Sequence, residues 1–439
     1  MLRFVHTGDL HLDSPFLGLA SEAPASVTAF LREATFQAWK EVIELALHEH
    51  AQFVLVAGDV FEHANHTLRG QFAFRDGLAR LANAGIPSFV VTGNHDPESG
   101  WAPSVAWPEL AHRFPTDRVE GVPVVRDGEE VARIYGISYR NREVRSNLAL
   151  KFKREANVPF AVGLLHANVG CDPSAPDYAP CSLADLRVAD MNYWALGHVH
   201  KPRVLTDGYP TVVYCGNIQG RDPGETEPRG CYLVTVDDAG TIYPEFQAAD
   251  VVRWQSIDVS IDEIADEETL VDRIAAGVDE ARTQADRSIV ARVRLTGRGP
   301  MHRTLSKAGV LRDAQTVVRE RLGDAIPFAW VESIRDESRP LVDLEERRLA
   351  DDFLGDALKR FAEVQLALAE AGTANNAATE GNTDQAVGLP AQLDEVLDRL
   401  YANERARRYL RDSRPGPTDL RNLLNHAETL VADRLSGEE

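Results

Sequence analysis

Short apolar runs that end in glycine and a polar cluster alternate with longer stretches whose apolar residues recur every three or four positions. LRFVHTGD, at residues 2–9, reads as a buried strand. Residues 33–50, EATFQAWKEVIELALHEH, read as a helix with Phe36, Trp39, Ile43, Ala46 and Leu47 on one face. FVLVAGDVFE (53–62) is a second strand. TLRGQFAFRDGLARLANAG (67–85) is a second helix, with Leu68, Phe72, Leu78 and Leu81 inward and Gly85 as its C-terminal cap. IPSFVVTGNHD (86–96) is a third strand. This β-α-β-α-β order predicts an α/β domain with a parallel component, and open α/β sheets place their sites past the strand C-termini.

The pattern then turns mostly to strands: VARIYGISY, VPFAVGLLHA, YWALGHVH, TVVYCGN and GCYLVTVD. A two-sheet core with helices outside accommodates both halves, and residues 1–252 form the first domain. From 253 to 340, SIDVSI and SIVARVRLTG alternate with the helical LVDRIAAGVDEARTQ, as in a smaller α/β domain. Residues 341–370 are expected to form a helix with Leu349, Phe353, Leu354, Leu358, Phe361, Val364 and Leu368 at helical spacing. Residues 371–388 have the polar, small-residue composition of a flexible linker. Residues 389–439 are helical again, with Leu393, Val396, Leu397 and Leu400 repeating the pattern.

The formal net charge of −21 argues against a protein that coats nucleic acid or membrane through bulk charge. It leaves room for a local basic groove. Four cysteines without a CxxC pair disfavour a zinc ribbon or redox dithiol. With no apolar run of membrane-span length and no signal-peptide layout, a cytoplasmic protein is expected.

Five segments carry candidate chemistry: Asp9 and His11, Asp59, Asn94 and His95, His166, and His198 and His200. Each lies at the end of an apolar strand. Residues two apart on a strand point to the same side, so Asp9 and His11 reach one object if the strand continues that far. Asp9, His11, Asp59, Asn94, His166, His198 and His200 give seven nitrogen and oxygen donors. That is too many for one tetrahedral ion and suits two ions sharing a carboxylate, with Asp59 the natural bridge. The absence of thiolates disfavours structural zinc, and mixed carboxylate, amide and imidazole donors suit manganese, iron or zinc.

HTGDLHLD, GDVF, GNHD, LLHA and GHVH together resemble the calcineurin-like metallophosphoesterases, and more closely the bacterial SbcD-like and YhaO-like DNA repair nucleases. The resemblance implies a two-sheet αββα sandwich followed by a capping domain and a helical C-terminal tail. It implies that Asp9, His11, Asp59 and His200 hold one ion, and that Asp59, Asn94, His166 and His198 hold the other, most simply two Mn2+. It implies that His95 stands free of metal, to protonate the leaving oxygen or stabilise the transition state. Related nucleases often carry a histidine or aspartate three residues after the bridging aspartate. Here that residue is Glu62, read as a partner to His95, with a solvated loop carboxylate as the other reading.

The implied function is a two-metal phosphodiesterase acting on DNA in repair, an exonuclease with endonuclease cleavage as a further mode. A nucleotide phosphatase or pyrophosphatase on the same core, and a recruiting subunit of an ATPase complex, are the competing readings. Arg140, Arg142, Arg145, Lys151, Lys153 and Arg154 stand against the single acid Glu143 and are the expected DNA contacts. No GxxxxGK[ST] stretch occurs, so a P-loop ATP site is not expected in this chain; the resemblance to SbcD-like nucleases implies a separate coiled-coil ATPase subunit, docked on the C-terminal helices. A homodimer is left open, and no membrane partner is expected.

Overall fold

The computed structural model describes residues 1–16, 23–62, 67–100, 105–323, 325–341, 344–377, 398–399, 402 and 417–436. The chain divides into two compact units. One comprises Met1–Val259, Val271–Arg294 and Arg312–Arg335; the other comprises Ser260–Leu270, Leu295–Leu311 and Asp336–Glu439. The 253–340 segment is thus divided between the two.

The first unit is built on two six-stranded sheets. In the first, strands β1 (Leu2–Thr7), β2 (Phe53–Ala57), β3 (Ser88–Val91) and β4 (Ala111–Arg113) run parallel. Two antiparallel strands, β11 (Gly230–Val236) and β12 (Ile242–Ala248), extend it beyond β1. The second sheet repeats the plan. Strands β6 (Glu129–Gly136), β7 (Ala161–His166), β8 (Tyr193–Gly197) and β10 (Thr211–Tyr214) are parallel. Strands β5 (Glu120–Arg126) and β9 (Arg203–Thr206) flank them antiparallel.

Side-chain alternation decides how these sheets meet. Phe4, Phe53, Leu55, Phe89 and Val91 from the first sheet form one buried cluster with Ile134, Val162, Leu164, Tyr193 and Val213 from the second. The intervening residues face outward. Val5, Val54, Val56 and Val90 pack under α1 (Ala25–His48) and α2 (Leu68–Asn83). On the second sheet, Leu165, Trp194 and Leu196 pack under the short helix α3 (Leu183–Val188) and the turn around Phe152. The strands are therefore apolar on both faces, which explains why they read as continuous hydrophobic runs. The outcome is the expected αββα layering. His6, the polar member of the opening strand, is buried and bonds the Tyr193 hydroxyl at 2.9 Å.

Helix α2 turns a different face inward from the one its apolar residues suggested. Leu68 and Phe72 are exposed, and Gly70, Phe74, Gly77, Leu78 and Leu81 are buried. Gly77 sets this face. A Cβ there would strike the indole of Trp39 on α1, so the helices approach closely at that position, with Phe74 against the same indole. Gly85, with φ of +74°, follows the cap residue Ala84.

A third sheet joins β13 (Val252–Ser260), β14 (Ser288–Thr296) and β15 (Ala329–Asp336). Val252, Trp254, Val290 and Trp330 form one apolar cluster with Val27, Leu31 and Ala34 of α1. Helices α4 (Glu267–Ala285), α5 (His302–Leu305) and α6 (Val310–Leu322) occupy the connections.

In the second unit, the expected single helix over 341–370 is two. Helix α7 (Leu344–Arg348) stops, and α8 (Phe353–Ala377) starts where the Asp352 carboxylate accepts the Gly355 N–H at 2.8 Å. Helix α8 also continues past residue 370 into the segment read as linker, through alanines that favour helix. Leu354 and Leu358 pack against Ala432 of α9 (Pro417–Ser436), whereas Leu349, Phe353, Leu366, Leu423 and Leu430 are exposed. Leu393, Val396, Leu397 and Leu400 lie outside the described residues.

The close helix approach has a measurable consequence. Gly77→Val should lower the unfolding free energy by about 1–3 kcal/mol, the usual cost of overpacking. Urea denaturation checks this, and an unchanged midpoint would show that Trp39 moves aside freely.

Candidate metal centre

All seven expected donors lie at the C-terminal ends of the parallel strands, three from the first sheet's loops and the histidines of β7 and β8 from the second, with His11 beside them. The opening strand ends at Thr7, so strand alternation does not bring Asp9 and His11 together. Left-handed backbone does, with φ of 47° at Asp9 and 44° at His11. Asp59 and His198 also have positive φ, 51° and 99°. Aspartate and histidine tolerate this region better than most residues, but each such site costs about 1–3 kcal/mol. Parallel bonds hold the strained loops: Asp9 N–H to Gly58 O at 2.9 Å and His11 N–H to Asp59 O at 3.0 Å. The glycines of GDVF and GNHD answer to crowding. A Cβ at Gly58 would lie 2.6 Å from His166 Nδ1, and one at Gly93 would strike Asp59 and His166.

Three imidazoles are hydrogen-bonded through one nitrogen, and the fourth, that of His11, has a carboxylate beside it. His166 Nδ1 bonds Ala57 O at 2.9 Å, His198 Nε2 bonds Pro176 O at 2.7 Å, and His200 Nδ1 bonds Glu225 at 2.6 Å. His11 Nδ1 lies 3.2 Å from the Glu62 carboxylate. The other nitrogens therefore face one another. His11 Nε2 and His200 Nε2 are 3.2 Å apart, as are His166 Nε2 and His198 Nδ1. His166 Nε2 also lies 3.0 Å from Asn94 Oδ1 and 3.4 Å from Asp59 Oδ2. The same Asp59 Oδ2 is 4.0 Å from His11 Nε2, so it stands between the two histidine pairs. Asp9 groups with His11 and His200 on one side and with Asp59 and His166 on the other.

This donor set fits two divalent cations. Electron pairs aimed at each other across 3.2 Å repel unless a proton or a cation lies between them, and one proton on His166 Nε2 cannot serve three acceptors. Backbone or carboxylate partners on the far nitrogens are what metal-binding histidines ordinarily have. Asp9, His11 and His200 would hold one cation. Asn94, His166 and His198 would hold the other, with Asp59 reaching both.

The charges agree. Burial raises Asp9 to about 6. Burial opposes a charge on His166, but Asp59 beside it lifts it to about 9 and is itself held below the usual carboxylate range. Burial, with the Arg221 guanidinium next, lowers His11 to about 3, and burial with the charge on His166 lowers His198 to about 4. Asp59 and His166 thus each favour the charged form of the other.

His95 lies beside these donors, half-buried. Its backbone N–H donates to Asp59 at 2.8 Å, and its Nδ1 contacts Glu62 Oε1. Glu62 is therefore not a solvated loop acid. Its other oxygen faces His11 and lies 3.4 Å from Arg221 Nη1. These histidines hold Glu62 below the usual carboxylate range despite its burial. Although burial disfavours charge on His95, Glu62 and Asp59 raise it above the ordinary histidine value. His95, His198 and His200 line a cleft of about 580 Å³.

Three further residues shape the site and were not singled out from the sequence. Asp96 is fully buried and accepts Val60 N–H and Gly93 N–H, both at 2.7 Å, stapling two donor loops together. It follows His95 directly, and the GNHD motif was its available signal. Glu225 and Arg221 come from a polar loop after β10, where no periodicity or motif marks them.

The basic run divides. Arg140 accepts Ser99 N–H through its carbonyl in the loop beyond His95, and Arg145 lies over the ring of Tyr178, which neighbours His198. Arg142 is exposed between them. Arg154 instead bonds Val158 O, Asp190 O and Tyr209, which precede β7, β8 and β10. It and Lys153 thus sit at the opposite end of the sheet, about 20 Å from the cleft along a six-residue strand. Lys151 is exposed on the single turn Ala149–Lys151.

Residues 2–202 match the family described as calcineurin-like phosphoesterase, and residues 254–339 match the middle domain of metallophosphoesterase YhaO. The chain is 35% identical over 338 residues to the uncharacterized metallophosphoesterase YhaO of Bacillus subtilis, covering 77% of this chain and 82% of that one. It is 29% identical over 207 residues to the DNA double-strand break repair protein Mre11 of Thermoplasma acidophilum, covering 46% and 54%. Against Mre11 of Aeropyrum pernix the figures are 27% over 243 residues, covering 52% and 55%. The chain thus spans about half the length of these two Mre11 relatives.

Cation uptake should displace protons, since His166 at about 9 must lose its proton and Asp9 at about 6 must be ionised. Both shifts are upward, so affinity for cations should rise with pH until His166 is neutral near pH 9. Titration calorimetry of the metal-free protein at pH 7.5, in buffers of different ionisation enthalpy, should show release of about one proton. An enthalpy that does not depend on buffer would place the proton elsewhere. Asp59→Asn should reduce the metal stoichiometry below two.

Proposed function

Since this chain belongs to the calcineurin-like metallophosphoesterases, and is thereby a metal-dependent phosphoesterase, we propose that it is a phosphodiesterase acting on DNA ends in repair. The observation that carries this reading is the division of labour at the cleft. Six donors gather on either side of a seventh, Asp59, and His95 stands next to them with Nδ1 on Glu62 and Nε2 left for a substrate.

When bound, two divalent cations here supply Lewis acidity to a phosphoryl group and acidify a water. The protein's own groups do the rest. Asp9 and Asp59 supply the negative charge that retains the cations. Glu62 holds the Nδ1 side of His95, so that Nε2 can give its proton to the leaving oxygen. Carboxylate, amide and imidazole donors suit manganese, iron or zinc, and the reading takes Mn2+ as the pair.

DNA as substrate is supported by two Mre11 relatives, named for double-strand break repair, and by Arg140 and Arg142 at the cleft end of the second sheet, with Arg145 beside them already paired to Glu143 at 2.9 Å. Arg292 and Arg294 give less support, because Glu332 and Asp258 already neutralise them at 2.8 and 2.7 Å. The cleft volume also suits a small nucleotide, which keeps the nucleotide phosphatase as the second reading.

We assign a coiled-coil ATPase as partner to the apolar residues left exposed on α8 and α9, with a recruiting role that accompanies catalysis rather than replacing it. A homodimer is compatible with this assignment. No described helix is long and apolar enough to cross a membrane, and we place the protein in the cytoplasm.

A labelled DNA duplex and a panel of nucleotides, each offered with manganese, magnesium or zinc, test the reading. Manganese-dependent shortening of the DNA is expected. Turnover of nucleotides alone would establish the phosphatase instead. His95→Asn should keep both metals and lose about 10²–10⁴-fold in rate. Reversing the charge of Arg140, Arg142 and Arg145 should weaken DNA binding and flatten its salt dependence, whereas reversing Lys153 and Arg154 should do neither. Equal losses from both sets would return the whole run to general electrostatics.

A further inference from the structure

The loop after β10 ends in a carboxylate that organises everything around it. Glu225 accepts His200 Nδ1–H at 2.6 Å, the Asn217 side-chain amide at 3.1 Å, and the N–H groups of Arg221 and Asp222 at 2.7 and 3.2 Å. The element that orients one candidate metal ligand therefore also fixes the backbone of Arg221. From there the Arg221 side chain runs inward. It is 12% exposed, and its guanidinium faces Glu62 at 3.4 Å. Its Nε is buried without a hydrogen-bond partner.

A guanidinium buried next to donors suited to two dications is unfavourable by itself, because it loses hydration and is repelled by the cations. Glu62 lies where that repulsion is answered. One oxygen contacts His95 Nδ1, and the other is shared between His11 Nδ1 and Arg221. Glutamate has one more rotatable bond than aspartate, and a carboxylate offered two imidazoles can collapse onto either. A third, fixed, cationic partner removes that freedom, and the planar fork of arginine suits the task better than an ammonium.

We propose that Arg221 is a positioning residue that acts through Glu62: it holds that carboxylate across His11 and His95, and so sets the orientation of His95 against the scissile phosphate. This rests on the role given to His95 above. The substrate need not touch Arg221, and Arg221 does not line the cleft.

The test is a double-mutant cycle on the full-length, metal-loaded protein with a small chromogenic phosphodiester, which requires no DNA binding. Glu62→Gln and Arg221→Gln should each lower kcat by about 10–100-fold, the usual cost of losing a residue that orients an active group. KM should change little and both metals should be retained. The double variant should be no slower than Glu62→Gln alone, because both act on one interaction. Arg221→Lys, which keeps a charge, should recover part of kcat. Losses that multiply in the double variant would overturn the proposal.

A second measurement does not depend on turnover. With 15N-labelled histidine, the His95 Nδ1–H signal should be protected from exchange in the wild type and lost in Glu62→Gln and Arg221→Gln. Its persistence in Arg221→Gln would also overturn the proposal. If the protein cleaves the small diester but not DNA, the DNA reading fails and the cycle still decides the role of Arg221.

Discussion

Four imidazole rings, three tied by one nitrogen and the fourth with a carboxylate beside it, each thereby committed to aim its other nitrogen, are the constraint on which the site depends. A ring held at Nδ1 has one direction left for Nε2, and the converse holds for His198. The partners come from different places: a strand-end carbonyl at Ala57, a loop carbonyl at Pro176 and carboxylates at Glu62 and Glu225. The backbone strain at Asp9, His11, Asp59 and His198 is the other side of the same arrangement. Several local costs are tolerated because the two stacked sheets over-determine where these loops can go.

Charge follows from that geometry. Acids and imidazoles share a buried volume, so no group there titrates independently. Asp59 favours a proton on His166, burial raises the Asp9 carboxyl to about 6, and burial first and the Arg221 guanidinium second disfavour a proton on His11. His95 is partly open to solvent, leans on a carboxylate and is not among the seven donors, which suits a group that must carry and release a proton. In a chain with net charge −21, attraction for a polyanion has to be local, and the arginines next to the cleft are placed where it would count.

Much of this was legible in the sequence because each donor ends a strongly apolar strand. Asp59 and Asn94 lie two and three residues past β2 and β3, His166 closes β7 and His198 follows β8 directly, and the layering of the core follows from strands that are apolar on both faces. The means of convergence was less legible: Asp9 and His11 meet through left-handed backbone, which no alternation pattern reveals. The inward face of α2 was misread because Gly77, which carries no hydrophobic signal, lies against Trp39. Glu225 and Arg221 were invisible because their loop has neither period nor motif, and its role exists only once β8 and β10 lie side by side. Arg154 belonged to a continuous basic run in sequence but turns to the far end of the sheet, because a charge run carries no information about direction.

The donors on either side of Asp59 arise from both sheets, with Asp9, Asp59 and Asn94 from one and His166, His198 and His200 from the other. A pair of cations between them is therefore a seam as well as a reagent. It would join two layers that otherwise adhere through side-chain packing and a few hydrogen bonds, such as His6 to Tyr193 and His166 to the Ala57 carbonyl. Whatever concentration of divalent ions surrounds the protein then enters directly into its folding equilibrium, by about 2.7 kcal/mol at a hundredfold excess over the dissociation constant. A cell depleted of such ions would hold a looser molecule, more open to proteolysis, so metal supply would govern how much of the protein persists as well as how fast it works.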